Sequence, residues 1–146
     1  GNLNAGIRIQ PTGTGNARAV LRNVVMARNT GAGLQVNTTG NTGTGVFVSV
    51  TGSSIAGSAN GVNVITAAGT AVGLVTVTES TISNNPTAAL NANGVGSFIR
   101  VGLSTMSGNG AAAVTSASGS VRSFGDNYVT HNSVDGTFTA PNVPKL

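Results

Sequence analysis

The sequence predicts an all-β solenoid of about five to six coils, each made of three short strands. Three observations carry the prediction. A short phrase recurs five times, an apolar residue followed three positions later by a small polar one. The copies are Met26 to Asn29, Ile55 to Ser58, Ile82 to Asn85, Met106 to Asn109 and Val129 to Asn132. Successive apolar anchors lie 29, 27, 24 and 23 residues apart (55−26, 82−55, 106−82, 129−106). A fixed phrase at a period of roughly 20–50 residues marks a chain that stacks one unit on the next. Second, an apolar residue stands five positions before every anchor, at Leu21, Val50, Val77, Val101 and Phe124. Third, 39 % of the 146 residues are apolar while only 7 % are charged and 3 % aromatic. A Gly-rich chain this poor in charge would be disordered without such order in its apolar positions.

Each coil is read in chain order. Its first strand opens on a small residue followed by an apolar one: Gly6-Ile7, Gly33-Leu34, Gly61-Val62, Ala89-Leu90 and Ala113-Val114. Gly136 fits the same position in a later coil. The second strand is β-branched and alternating, clearest in Val46-Phe47-Val48-Ser49-Val50-Thr51 and Leu74-Val75-Thr76-Val77-Thr78. The third carries the anchor. Stacking sets each strand parallel to its equivalent about 4.8 Å away, with the Val, Ile, Leu and Met columns buried between the sheets. No stretch has the period of an amphipathic helix.

The corners differ in what they require. Asn29, Asn85, Asn109 and Asn132 form one column and read as a structural ladder, their amides bonding from coil to coil. Asn also tolerates the left-handed backbone of a tight corner, which is the conformation expected for this column. A second corner varies in length. From the apolar residue of the first strand to the inner residue of the second, the steps are 14, 16, 15, 11 and 10 (21−7, 50−34, 77−62, 101−90, 124−114). The excess lies in Gly, Thr and Asn-rich stretches such as 37–45 and 66–73, which belong at the surface. This corner is expected to protrude in the early coils and recede in the last two.

Side chains that carry chemistry are few. The acids are Glu79, Asp126 and Asp135. Glu79 and Asp126 each precede an anchor by three, so they share a column but stand two coils apart, with Leu103 between them. About 10 Å then separates their backbones, wide even for the roughly 6.5–9.5 Å of an inverting carboxyl pair. They are the only candidate catalytic residues. A hard cation needs about six oxygens from clustered acids, so no metal or other cofactor is expected. His131, the single histidine, reads as an exposed turn residue, and Asp135 as a turn residue beside Gly136. The net charge of +4 comes from basic residues spread along the chain with no run, which argues against nucleic acid as partner. The absence of cysteine excludes a disulfide scaffold. No apolar run reaches the roughly 18 residues of a membrane span, and four Phe and one Tyr cannot build a barrel's aromatic girdles. Outward Ser49, Thr51, Thr76 and Thr78 form a small hydroxyl array, bounded by Val20 and Arg22 on one side and Arg100 and Gly102 on the other.

The phrases Ile7-Arg8-Ile9-Gln10-Pro11, Ser80-Thr81-Ile82-Ser83-Asn84-Asn85, Ser104-Thr105-Met106-Ser107-Gly108-Asn109 and Ser123 to Asn132 resemble bacterial right-handed parallel β-helix repeat proteins. That group shares its fold with pectate lyases. The resemblance covers nearly the whole chain and points to secreted proteins without assigned activity. It implies a secreted, periplasmic or cell-surface location. Such helices normally begin upstream, often under a helical cap. Here Gly1 enters directly into coil sequence, so the chain resembles the C-terminal part of such a protein. A β-helix over 1–138 followed by a tail over 139–146, with Pro141 and Pro144, is expected. Polysaccharide-cutting relatives of this fold use clustered acids, which this chain lacks. The expected function is therefore a non-catalytic module, structural, adhesive or glycan-contacting. The alternatives are a remnant of a polysaccharide-active enzyme and head-to-tail self-assembly through uncapped β-helix ends.

Overall fold

The computed structural model describes residues 2–136, 138–140, 142 and 144. Among them there is no helix, and so none long and apolar enough to cross a membrane. The chain winds through three parallel sheets of five strands each. The first sheet stacks β1 (Ala5–Ile9), β4 (Ala32–Asn37), β7 (Asn60–Ile65), β10 (Ala88–Asn93) and β13 (Ala113–Ser116). The second stacks β2 (Ala17–Arg22), β5 (Val46–Thr51), β8 (Gly73–Thr78), β11 (Ser97–Gly102) and β14 (Ser120–Ser123). The third stacks β3 (Val25–Ala27), β6 (Ser54–Ala56), β9 (Thr81–Ser83), β12 (Thr105–Ser107) and β15 (Tyr128–Thr130). Each coil passes through the three sheets in turn, giving a parallel β-solenoid of five turns among the described residues.

The anchor column forms as the sequence predicts. Met26 pairs with Ile55, Ile55 with Ile82, Ile82 with Met106 and Met106 with Val129. Ile55, Ile82 and Met106 are completely buried, while Val129, in the last coil, is half-buried. The first-strand column runs Ile7, Leu34, Val62, Leu90 and then Ala113. The second-strand column runs Leu21, Val50, Val77, Val101 and then Ser123. Parallel pairing buries both columns because each sheet's inner face meets the other two across the tube.

Two expected members of these columns are displaced, both in the last coil. Val114 is not inward. It pairs with Asn91 on the outer face, and Ala113 fills the inner place. The corner before it is one residue shorter than the one before Leu90 (113−109 against 90−85). Phe124 likewise yields its place to Ser123. One extra residue enters the next corner (129−123 against 106−101), so counting back five from the anchor lands one residue late. Phe124 then lies over Gly102, where a Cβ would stand 2.6 Å from its ring. The corner has room for that ring because Gly102 carries no side chain.

The variable corner behaves as expected. It spans 10–16, 38–45 and 66–72 in the first three coils but only 94–96 and 117–119 in the last two. Its long copies also stack. Asn16 Oδ1 accepts the N–H of Thr44 at 2.7 Å, and Thr38 Oγ1 donates to the carbonyl of Ala71 at 2.6 Å. At the last coil Phe138 packs against the core, and Thr139 N–H donates to the carbonyl of Val121. The expected tail therefore begins with a residue that is hydrogen-bonded to the second sheet. Gly1 and Pro141, on which the expected uncapped start and part of that tail rest, lie outside the described residues.

Replacing Ile82 by Ala removes a fully enclosed side chain with coils above and below it. The expected loss is about 2–5 kcal/mol in urea unfolding, with a clearly smaller loss for Val129→Ala in the half-buried last coil. Equal losses at the two sites would contradict the burial gradient along the column.

Candidate functional site

The corner between the third sheet and the next coil's first strand holds the predicted ladder. Asn85 N–H donates to Asn109 Oδ1 at 3.1 Å, and Asn85 Nδ2 donates to the same oxygen at 2.9 Å. Asn109 repeats both bonds onto Asn132 Oδ1, at 3.0 and 2.9 Å. Asn29 sits above Ser58, whose hydroxyl accepts from its N–H, and Ser58 N–H donates to Asn85 Oδ1. The left-handed conformation falls elsewhere than expected. It belongs to the residue before each ladder member: Arg28 (φ 56°), Gly57 (65°), Asn84 (54°), Gly108 (67°) and His131 (54°). That residue makes the turn, which leaves the ladder residue free to aim its side chain along the stack.

A second ladder runs parallel to the first. At the corner between the second and third sheets, Val24 N–H donates to Ser53 Oγ, Ser53 N–H to Ser80 Oγ, and Ser80 N–H to Ser104 Oγ. Ser104 N–H donates to Asn127 Oδ1. Each serine hydroxyl also donates back to the carbonyl two residues earlier, at 2.7–3.0 Å. Here too left-handed residues precede the ladder: Asn23, Gly52, Glu79 and Leu103. The signal lay in Gly52-Ser53, Glu79-Ser80 and Leu103-Ser104, but serine is so common in this chain that the column did not stand out.

The candidate acids do not form a pair. Glu79 is an exposed, left-handed corner residue, and its N–H donates to the carbonyl of Gly102. Asp126 uses Oδ1 to accept the N–H of Leu103 at 2.9 Å. Leu103 stands in the coil between them, as the spacing predicts. His131 is exposed, with Nδ1 2.7 Å from the hydroxyl of Thr130. Asp135 is exposed beyond the last coil. No group of three metal-ligating side chains lies together among the described residues.

Chemical variety concentrates instead on the outer face of the second sheet. One row reads Arg18, Phe47, Leu74, Phe98 and Ser120, one residue per coil. The Arg18 guanidinium stands 4.9 Å from the Phe47 ring centre, a cation–π contact. Phe98 is 38 % exposed. The neighbouring row reads Val20, Ser49, Thr76, Arg100 and Arg122, and a third reads Arg22, Thr51, Thr78 and Gly102. The hydroxyl array is thus in register, with Thr51 and Thr78 hydroxyls 3.2 Å apart. Four arginines that are scattered in sequence share this one face. The first sheet's outer face is an amide surface by contrast, where Asn91 Nδ2 donates to Asn63 Oδ1 at 3.1 Å.

No protein-family model, characterised protein or solved structure matches the chain.

The ladder gives a direct test. Asn109→Ala removes the acceptor for a buried N–H and a buried amide on Asn85. The expected loss is about 2–4 kcal/mol of unfolding free energy, with Asn109→Ser recovering part of it, since Ser58 fills the same column. Hydrogen exchange should show faster opening of the Asn85 amide in the Ala variant.

Proposed function

We propose that this chain is a non-catalytic module of a secreted, periplasmic or cell-surface protein. In this reading it is a right-handed parallel β-helix of the kind pectate lyases share, and its second-sheet face contacts polysaccharide. The handedness follows the strong preference of parallel strand crossovers for the right-handed path. The observation that carries the functional reading is the apolar row of Phe47, Leu74 and Phe98 beside the hydroxyl rows of Ser49, Thr76, Thr51 and Thr78. Flat aromatic and aliphatic surface accepts the apolar faces of sugar rings, and flanking hydroxyls exchange hydrogen bonds with the sugar's own. A repeat of about 4.8 Å along the stack presents these groups at regular intervals to a repeating polymer. The absence of catalysis is supported by the carboxylates: Asp126 caps a backbone N–H and Glu79 lies two coils away.

Co-sedimentation with insoluble cellulose and chitin, and affinity electrophoresis in soluble xylan, test the reading. Binding to at least one of these is expected, with about a tenfold loss in Phe98→Ala combined with Leu74→Ala, and no release of reducing sugar. Turnover of any of these polymers, abolished by Glu79→Gln with Asp126→Asn, would establish the enzyme alternative instead.

A second reading, head-to-tail self-association, is supported by the first coil. Ile7, Ile9 and Leu21 pack against the core but are only partly buried. A strand added along β1 to β3 would cover them. Light scattering is expected to show a concentration-dependent dimer, and a strict monomer at millimolar concentration would remove this reading.

A further inference from the structure

The lower end of the second sheet's outer face holds a small pocket that shares Phe98 with the polysaccharide reading but whose polar side, Arg100, Ser120 and Arg122, that reading does not use. Its volume is about 90 Å³, and it is lined by Phe98, Ile99, Arg100, Ser120 and Arg122. Three features of its donors stand out together. Arg100 and Arg122 are direct register partners on adjacent parallel strands, so their backbones lie about 4.8 Å apart with both side chains outward. Like charges opposite one another on neighbouring strands repel, and among the described residues no carboxylate lines the pocket to offset them. Ser120 is only 7 % exposed, yet among the described residues its hydroxyl has no hydrogen-bond partner. Arg122 Nε is also buried and has no hydrogen-bond partner among the described residues. Buried donors are almost always satisfied, so two orphans on residues that line one pocket call for an acceptor.

We infer that this pocket binds a tetrahedral oxyanion, a phosphate or sulfate group, free or as a monoester. Two guanidiniums supply charge matched to a dianion and several N–H donors in fixed planes. The Ser120 hydroxyl supplies a further donor from the side. Water fills such a space without offsetting the paired positive charge. Phe98 forms an apolar wall on which the organic part of an ester would rest. The other orphaned atoms among the described residues, on Asn60 and Asn91, are acceptors on the first sheet and do not take part.

Calorimetric titration of the full chain with inorganic phosphate at low ionic strength tests this. Saturable binding at one site is expected, weakened about tenfold or more in Arg122→Gln and Arg100→Gln, and about threefold in Ser120→Ala. Arg8→Gln, on the first sheet, should leave the affinity unchanged. Ser120→Ala removes an unpaired hydroxyl, so it should not lower the melting temperature of the anion-free protein, which separates a binding role from a structural one. In wild type the side-chain N–H resonance of Arg122 Nε should shift on saturation, a readout that needs no variant to fold. Glucose 6-phosphate binding at least as tightly as phosphate would assign the source to an ester, and weaker binding would assign it to the free ion. No saturation by about 50 mM phosphate, an unmoved Arg122 resonance, or equal affinity for acetate would overturn the proposal.

Discussion

The buried corner N–H is the group on which this molecule depends. Within a strand that has a coil on either side, the backbone donors find the neighbouring coils' carbonyls. At a corner the chain turns and that pairing lapses, while the space around it stays closed to water. An unpaired donor there costs about 1–3 kcal/mol, and each coil has more than one such corner. The solution is the same at two corners: a left-handed residue reverses the chain, and the next residue's side chain accepts the N–H from the coil above. Asn85, Asn109 and Asn132 do this at one corner, and Ser53, Ser80 and Ser104 at the other. Because each bond joins equivalent residues of successive coils, it also fixes register. The anchors Ile55, Ile82 and Met106 sit over one another because the corners on both sides of them are pinned.

The same translation that stacks the core stacks the surface. A residue type at one outward position becomes part of a row, and rows make faces. This is why Arg18, Arg22, Arg100 and Arg122, separated by up to 104 positions (122−18), share one face of one sheet. It also explains why Arg100 and Arg122 cannot avoid one another. A flexible surface loop would let two such side chains drift apart, whereas paired parallel strands hold them one coil apart. The orphaned Ser120 and Arg122 donors beside them make that enforced proximity a feature with chemistry rather than a surface accident.

Much of the architecture was legible in the linear pattern. The anchor spacing, the Asn column and the shrinking corner each reappear as pairings, bonds and loop lengths. The failures share a cause. Val114 and Phe124 were placed by counting from neighbours at constant spacing, and a single residue lost or gained at a corner moves a strand's entire pattern to the opposite face. The Asn column was assigned both the turn and the ladder, while the structure divides those tasks between consecutive residues. The serine ladder escaped notice because serine is abundant and carries no periodic contrast. The arginine face escaped because scatter along the chain says nothing about scatter in space once a chain is wound.

By itself the sequence determined that the protein is a wound β tube: a long-period apolar repeat carried on short β-branched, alternating segments buries its columns by stacking coils. It also determined that carboxylate chemistry is scarce, since three acids are a fact of composition. Only the tertiary structure decided which outward residues become neighbours, because that depends on the exact register of each corner. A one-residue difference there, too small to disturb the repeat, is enough to set Ser120 beneath Phe98 and Arg122 beneath Arg100.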